Sequence, residues 1–418
     1  MDRLLVYANF DWLDAEELVG TLYHEHLRGT DKYGFEYDTG WLRRHPDISF
    51  GADIMNYASV QWSASGKDIF GCFSDMMPDR WGRTLMMRRE QLAARDEQRV
   101  VRQLSSYDYL TGVSDFTRLG GLRLKNEEGG GYVMPATPLS VPPVANVREL
   151  IYAAGQIEQS EERSELPEAR WLRQLMNPGS SLGGARPKAN VQDGGQLYIA
   201  KFPSRKDTYD VELWEHLCHL LAFRVGVLTA ETSLLNVGTG FHMLLSKRFD
   251  RRGDTRIHFA SAMTMLGLTG GCDANTGHGY LDMVDFIVQS CVDVERNLKE
   301  LFRRVAFYIC IGNSDDHFRN HGFILTKGGW TLAPAYDINP TLNMYQGLLI
   351  SRDNNEANLN VLLDACEDYM LRRSDAENIV EEVRSGMADW ASLAARLQIR
   401  KGEMALFADR INRFCVKV

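Results

Sequence analysis

The residues best suited to chemistry lie between Asp315 and Asp337: Asp315-Asp316-His317-Phe318-Arg319-Asn320, a short apolar hairpin, then Tyr336-Asp337. The chemistry they suit is phosphoryl transfer. A loop carboxylate such as Asp315 can accept the proton of an attacking hydroxyl, provided that no metal consumes it. Mg²⁺ is hard, prefers oxygen ligands, and usually keeps waters beside one or two carboxylates and the phosphates of its nucleotide. Asn320, five residues after Asp315, and Asp337, beyond the hairpin, offer those oxygens. Asp315 is thus the candidate base, with His317 in the same catalytic loop. Asn320 and Asp337 are the candidate metal ligands. Asp and Asn also gather in loops because they make turns; the hairpin and the further Asp on schedule set this loop apart.

These residues need rigid carriers. Leu301, Phe302, Val305, Ala306, Ile309 and Cys310 recur at helical spacing, and Gly312-Asn313 predicts the end of that helix. Phe323-Ile324-Leu325 and Trp330-Thr331-Leu332 read as strands joined through Lys327-Gly328-Gly329. Protein kinases use the same order: an Asp base, an Asn five residues on, and a metal-binding Asp after a short hairpin.

Such a site also needs a phosphate cradle. Residues 177–188 include Gly179, Gly183 and Gly184. A glycine-rich loop lets backbone N–H groups approach phosphate oxygens without side-chain obstruction. This one is not a Walker A, since no Gly-Lys-Ser/Thr closes it, nor the Gly-x-Gly-x-x-Gly of ordinary protein kinases. Taken alone, a surface loop is as good a reading. Its context favours the cradle, because residues 188–191 and 196–202 flank Asp193-Gly194-Gly195, a hairpin signal. Lys201 stands in the second strand within an apolar run, where a lysine is expensive to bury unless paired. Kinases tether such a lysine to a glutamate on the next helix. On the helix predicted over 209–225, Glu212 is nearest the loop. The bland alternative is that Lys201 snorkels to solvent.

Residues 241–246 read as a strand leading into Lys247-Arg248-Phe249, where a two-lobed kinase meets adenine mainly through backbone. Residues 1–135 are mixed and strand-rich, with strands at 4–7, 18–23 and 33–37, a helix up to about residue 95, and aromatics that are most simply core. Pro135, Pro138, Pro142 and Pro143 mark a linker or crossing segment. Helices are predicted over 147–159 and up to Met176, and from Phe286 onward the chain reads as mostly helical apart from the hairpin.

The length of 418 residues predicts two or three subdomains, and a hydrophobic fraction of 44% with 25% charged residues is ordinary for a globular protein. The short apolar run at the start predicts neither a signal peptide nor a membrane segment. Seven scattered cysteines without a CxxC pair fit a reducing cytoplasm. His216, Cys218 and His219 lie close together, but on a predicted helix and with no second ligand pair. A net charge of −9 argues against a broad nucleic-acid surface, so DNA would be met through a local basic patch or a basic partner.

The run Ser181-Leu182-Gly183-Gly184-Ala185-Arg186-Pro187-Lys188, Lys201, Arg248-Phe249-Asp250-Arg251, Asp315 to Asn320 and Tyr336-Asp337 stand together in this chain. So do Val19-Gly20-Thr21-Leu22, Phe35-Glu36-Tyr37-Asp38, Trp41-Leu42 and Met77-Pro78-Asp79. On these residues, over nearly its whole length, the chain resembles the HipA family, the serine/threonine kinase toxins of bacterial type II toxin–antitoxin systems. The resemblance implies an α+β fold, bilobal and protein-kinase-like. An extra N-terminal mixed α/β subdomain would span residues 1–147, a small lobe with the glycine-rich loop and the ATP lysine residues 148–248, and a mainly helical C-lobe residues 249–418. It implies ATP and Mg²⁺, with Asp315 as base and Asn320 and Asp337 on the metals. Gly183, Gly184, Ala185, Arg186, Pro187, Lys188 and Lys201 would hold phosphates, with Glu212 as the partner of Lys201. Lys247, Arg248 and Phe249 would form the hinge, and Tyr336 would stand near the nucleotide. Ser181 would be a site of autophosphorylation, with Ser180 beside it as a second acceptor. The implied partners are a small helix-turn-helix antitoxin, which binds operator DNA, and a translation-related protein substrate such as an aminoacyl-tRNA synthetase. DNA would be reached only through the antitoxin, and no membrane is involved. Lys247 departs from the family, which often has an acidic residue there. Two other readings stand beside the kinase toxin: a catalytically silent binding module that acts as co-repressor with its antitoxin, and a small-molecule phosphotransferase, which shares the D-x-x-x-x-N loop. The filled catalytic positions favour the first.

Overall fold

The computed structural model describes residues 1–418 except 28, 65–67, 136–140, 164, 167–174, 176–185, 239 and 416–418. Ser180, Ser181, Gly183, Gly184 and Ala185 therefore lie outside the described residues, as does most of the helix expected up to Met176. The fold is mixed α/β and divides into two compact units. The first comprises residues 1–206 and 247–260, the second residues 207–246 and 261–418. No helix among the described residues is long and apolar enough to cross a membrane.

In the first unit, period-two burial builds a five-stranded antiparallel sheet. Strand β1 (Asp2–Ala8) buries Leu4, Val6 and Ala8 on one face. With β2 (Glu17–Leu27), β3 (Thr30–Tyr37), β4 (Gln61–Trp62) and β5 (Leu122–Lys125) the order is β4-β3-β2-β1-β5. Gly20 is required where β2 meets β3, because a Cβ there would come within 2.2 Å of the Glu36 carbonyl oxygen. Phe10, Tyr37, Trp41 and Phe50 are buried together, so these aromatics are core. Asp79 caps the helix Arg80–Asp96 by accepting from the Gly82 N–H at 2.7 Å. Further along, β6 (Lys188–Asp193) and β7 (Gln196–Lys201) form a hairpin in which Lys188 faces Lys201. Its turn is Gly194-Gly195, at φ 53° and 81°, the two positive angles that such a tight hairpin requires.

A buried ionic network ties distant segments of this unit together. Asp250 receives Arg248 Nε at 2.8 Å, Arg248 Nη2 at 2.6 Å, Arg251 Nη1 at 2.7 Å and the Gly120 N–H at 2.9 Å. Arg248 reaches on to the Thr117 carbonyl at 2.7 Å and Asn190 Oδ1 at 2.9 Å, and Arg251 to the Arg118 carbonyl at 2.6 Å. Burial alone would raise the Asp250 carboxyl, but the two guanidinium groups and the Gly120 N–H outweigh it and hold the group below the usual carboxylate range.

His258 is a second buried titratable group of this unit. Its ring stacks on Phe10 at 5.2 Å, meets Phe50 edge-on at 5.2 Å, and accepts from the Gly121 N–H through Nδ1 at 3.4 Å. Burial pushes its pKa down to about 3. The unfolded chain takes up this proton near pH 6.5, whereas the folded chain resists it until about pH 3. The contribution is therefore whole above pH 6.5 and is lost as pH falls towards 3, at no more than about 1.4 kcal/mol per pH unit. Denaturant titrations between pH 6.5 and 4.5 are expected to show a shallower loss of stability for His258→Asn than for the natural chain. Parallel curves would refute this assignment.

In the second unit the helix Val294–Ile311 is the central element, buried along most of its length and packed against the helices Arg373–Met387 and Lys401–Cys415. Gly312 ends it at φ 82°, the left-handed cap that glycine adopts without strain. The hairpin Gly322–Thr326 and Gly329–Leu332 lies against the helix's first turns. There Asn297 Oδ1 accepts from the Leu332 N–H and the Thr331 hydroxyl, each at 2.9 Å. The helix Val211–Arg224 is capped by Asp210, which accepts from Leu213 N–H at 3.2 Å and from the His242 ring at 2.6 Å. On it His216 and His219 hydrogen-bond to the hydroxyls of Thr232 and Thr229.

Candidate active site

The loop after Gly312 has no regular structure until a turn at 318–320, and the exposure of its side chains alternates. Asp315, His317 and Arg319 are exposed, whereas Asp316, Phe318 and Asn320 are buried. Adjacent side chains thus point to opposite sides, one set into the fold and the other to solvent. Tyr280 Oη donates to Asp316 Oδ2 at 2.6 Å, and His321 Nε2 donates to the same oxygen at 2.8 Å. Burial, and then Asp316, push the Tyr280 hydroxyl well up, which keeps it a donor. Gly347 N–H donates to the Ser314 carbonyl at 3.0 Å, and Met263 N–H to that of Phe318 at 3.2 Å. The loop closes on itself where Asn320 N–H donates to the His317 carbonyl at 2.8 Å and Asn320 Nδ2 to that of Asp315 at 3.2 Å.

Asp337 is delivered from the other side. Ala335 pairs through its backbone with Leu228 and Ala230, at 2.8 and 3.0 Å, and Asn339 N–H donates to Asn313 Oδ1 at 3.1 Å. Between these anchors Asp337 holds φ 57°, a left-handed conformation that residues other than glycine adopt at a cost of roughly 1–2 kcal/mol. Tyr336 Oη donates to the Arg319 carbonyl at 2.7 Å, which links this segment to the loop.

The donor set suits Mg²⁺. The Nδ2 of Asn320 is spent on the Asp315 carbonyl, so its Oδ1 is the atom left to offer a ligand, and Asp337 adds a carboxylate. Asn339 Oδ1 is buried and without a hydrogen-bond partner among the described residues. One amide oxygen and one carboxylate match a cation that keeps waters and phosphates as its remaining ligands. No cluster of three or more His, Cys, Asp or Glu suited to a metal occurs among the described residues.

The remaining expected residues stand on other elements. Lys201 ends β7 and is partly exposed, and Glu212 is buried in the first turn of the helix Val211–Arg224. Pro187 accepts from Phe202 N–H at 2.9 Å, and Arg186 immediately precedes it. Lys188, expected on phosphate, places its Nζ 3.1 Å from Asp79 Oδ2, with both side chains buried. Burial raises the Asp79 carboxyl, and Lys188 opposes that rise. Arg248, expected in the hinge, has its guanidinium in the ionic network and donates its N–H to the Leu197 carbonyl at 3.0 Å. Lys247 ends a strand (His242–Lys247) and Phe249 meets Phe259 with ring centroids 5.8 Å apart. Sequence reasoning missed Asp316, Tyr280 and His321. The available signal was the Asp-Asp doublet, in which only one member can face outward.

Two family models match the sequence: the HipA N-terminal domain over residues 12–106, and the HipA-like C-terminal domain over residues 180–391, more than half of the chain. No curated protein matches it. Among solved structures, HipA of the Shewanella oneidensis MR-1 toxin–antitoxin system, in complex with HipB and its operator DNA, is similar at a TM-score of 0.64 and 15% identity. That likeness covers 99% of this chain and 96% of that one. The Helicobacter pylori proinflammatory kinase CtkA overlaps at a TM-score of 0.36 and 15% identity, over 50% of this chain and 90% of its own.

Proposed function

Because the chain belongs to the HipA family, we propose that it is the toxin of a type II toxin–antitoxin pair, a bilobal protein serine/threonine kinase that uses ATP and Mg²⁺. The observation that carries this reading is the catalytic loop: an exposed carboxylate, Asp315, held by buried neighbours, with the oxygen ligands Asn320 and Asp337 on the same unit. Asp315 accepts the proton of the attacking hydroxyl, and its exposure leaves room for a protein substrate. Asn320 and Asp337 hold the metal, which neutralises charge on the phosphates when bound. Lys201 and the loop from Gly183 to Lys188 hold the phosphates, with Glu212 as the partner of Lys201 and the backbone of Lys247 to Phe249 meeting the base. Ser181, with Ser180 beside it, is the autophosphorylation site. Nearly two negative charges added there would repel the phosphates of ATP and favour an open loop.

The substrate class is a translation-related cytoplasmic protein such as an aminoacyl-tRNA synthetase. The partner is a helix-turn-helix antitoxin through which operator DNA is reached; the Shewanella protein, for its part, stands in a complex with HipB and operator DNA. Incubating the purified chain with radiolabelled ATP and a cytoplasmic extract tests the reading, and mass spectrometry of the same reaction reports on Ser180 and Ser181. Label on an extract protein and on the loop is expected. No label on any protein would sink the kinase reading in favour of the silent co-repressor.

The roles of the acidic residues separate in binding. Asp337→Asn is expected to weaken MgATP binding by at least roughly tenfold, whereas Asp315→Asn leaves it intact. Calorimetric titration of MgATP into both variants checks this, and equal affinities would refute the division.

A further inference from the structure

Asp316 is the one carboxyl group of the catalytic loop that faces inward, and its side chain is 0% exposed. A buried carboxyl group needs donors, and it has two on a single oxygen: Tyr280 Oη and His321 Nε2. Both donors are themselves fully buried. The Tyr280 ring stands edge-on to the imidazole of His321 at 5.8 Å, and the Tyr308 ring lies 5.9 Å from it, so the imidazole is packed by two aromatic rings. The backbone is gripped as well. Gly347 passes so close to Asp316 that a Cβ there would come within 2.4 Å of the Asp316 carbonyl oxygen. An apolar residue of similar volume would fill this space at less desolvation cost. What a carboxyl group adds is direction, because two hydrogen bonds fix its orientation and thereby the peptide planes on either side.

We propose that Asp316 is a positioning residue for the transfer reaction: anchored by Tyr280 and His321, it turns the neighbouring Asp315 carboxylate outward and holds it there. The inference rests on the kinase reading given above, and it adds residues that do not touch the substrate. Its physical basis is the opposite facing of two adjacent side chains, Asp316 buried and Asp315 exposed. If the anchor is lost, the loop can rotate about its axis, and Asp315 leaves the line of attack even though it is chemically unchanged.

The test uses the full chain, natural or carrying Asp316→Asn, Asp316→Glu or Tyr280→Phe. Each is assayed for phosphate transfer, thermal unfolding and amide hydrogen exchange over residues 313–321. Asp316→Asn is expected to lower kcat by roughly tenfold to a hundredfold, the scale of an ångström of misplacement. Tyr280→Phe should lower it less. KM for MgATP should stay within about twofold, because the metal ligands are untouched. Asp316→Glu should not restore kcat, since its carboxyl group reaches a methylene too far. Retention of kcat within about twofold, or a loss matching only the unfolded fraction, overturns the proposal. If Asp316→Asn does not fold, Tyr280→Phe decides alone by the same criteria. If the natural chain transfers no phosphate, the kinase reading fails, and exchange decides the anchor separately. Faster exchange confined to the loop in Tyr280→Phe then supports the anchor, and unchanged exchange overturns it.

Discussion

Asp315→Asn is expected to abolish phosphoryl transfer and leave the fold intact. The side chain of Asp315 is exposed and makes no hydrogen bond among the described residues, so its loss removes nothing from the core. A surface change of this kind moves stability by less than about 0.5 kcal/mol. The amide has the same shape but cannot take a proton, and general-base assistance is worth roughly 10²–10⁴-fold in rate. A single-turnover assay beside a melting curve checks both halves. Near-natural turnover with a normal melting curve would show that Asp315 is not the base.

Asp250→Ala has the opposite profile, with a large loss of stability. Two buried guanidinium groups, on Arg248 and Arg251, share this one carboxylate. Removing one partner of a buried ion pair costs about 3–5 kcal/mol, because the charges left behind are uncompensated. For a unit of roughly this size each kcal/mol lowers the midpoint by about 2–4 °C, so a drop on the order of 6–20 °C is expected. Replacing Arg248, Asp250 and Arg251 together by apolar residues should lose far less than the single change. Calorimetry of the three chains checks the ranking. A single variant as stable as the natural chain would show that the network is not what holds this unit.

The periodic parts of this molecule were legible in the sequence. Leu301, Phe302, Val305 and Ile309 announce the helix Val294–Ile311, Gly312 its end, and the hairpin after it brings Asp337 back beside Asn313 through Asn339. Gly194-Gly195 likewise announced the hairpin of β6 and β7. These are local rules that a window of a dozen residues carries. What stayed hidden was partner choice. Nothing near Lys188 says that its ammonium will meet Asp79, more than a hundred residues earlier. Nothing near Arg248 says that it will reach Thr117. Pairing of buried charges is decided by tertiary contact. The inward turn of Asp316 stayed hidden too, since Asp315 and Asp316 look alike in the sequence and which of them is buried is decided by Tyr280 and His321.

The Asp79–Lys188 pair and the Asp250 network have a consequence for inheritance. Asp79, Thr117, Arg118 and Gly120 come from the first third of the chain, whereas Lys188, Asn190, Arg248, Asp250 and Arg251 come from the region matched by the C-terminal family model. Lys188 thus meets a carboxylate from the other segment, whereas Arg248 and Arg251 pair with Asp250 within their own and take only backbone groups from the first. Shuffling the first 147 residues between diverged relatives would strand the Lys188 ammonium in a dry interior unless the Asp79 carboxylate travelled with it, whereas the carbonyls of Thr117 and Arg118 come with any sequence that keeps the same backbone path. The two segments are therefore coupled in inheritance through this pair, and a chimera joined between them keeps it only where the parents agree at Asp79 and Lys188.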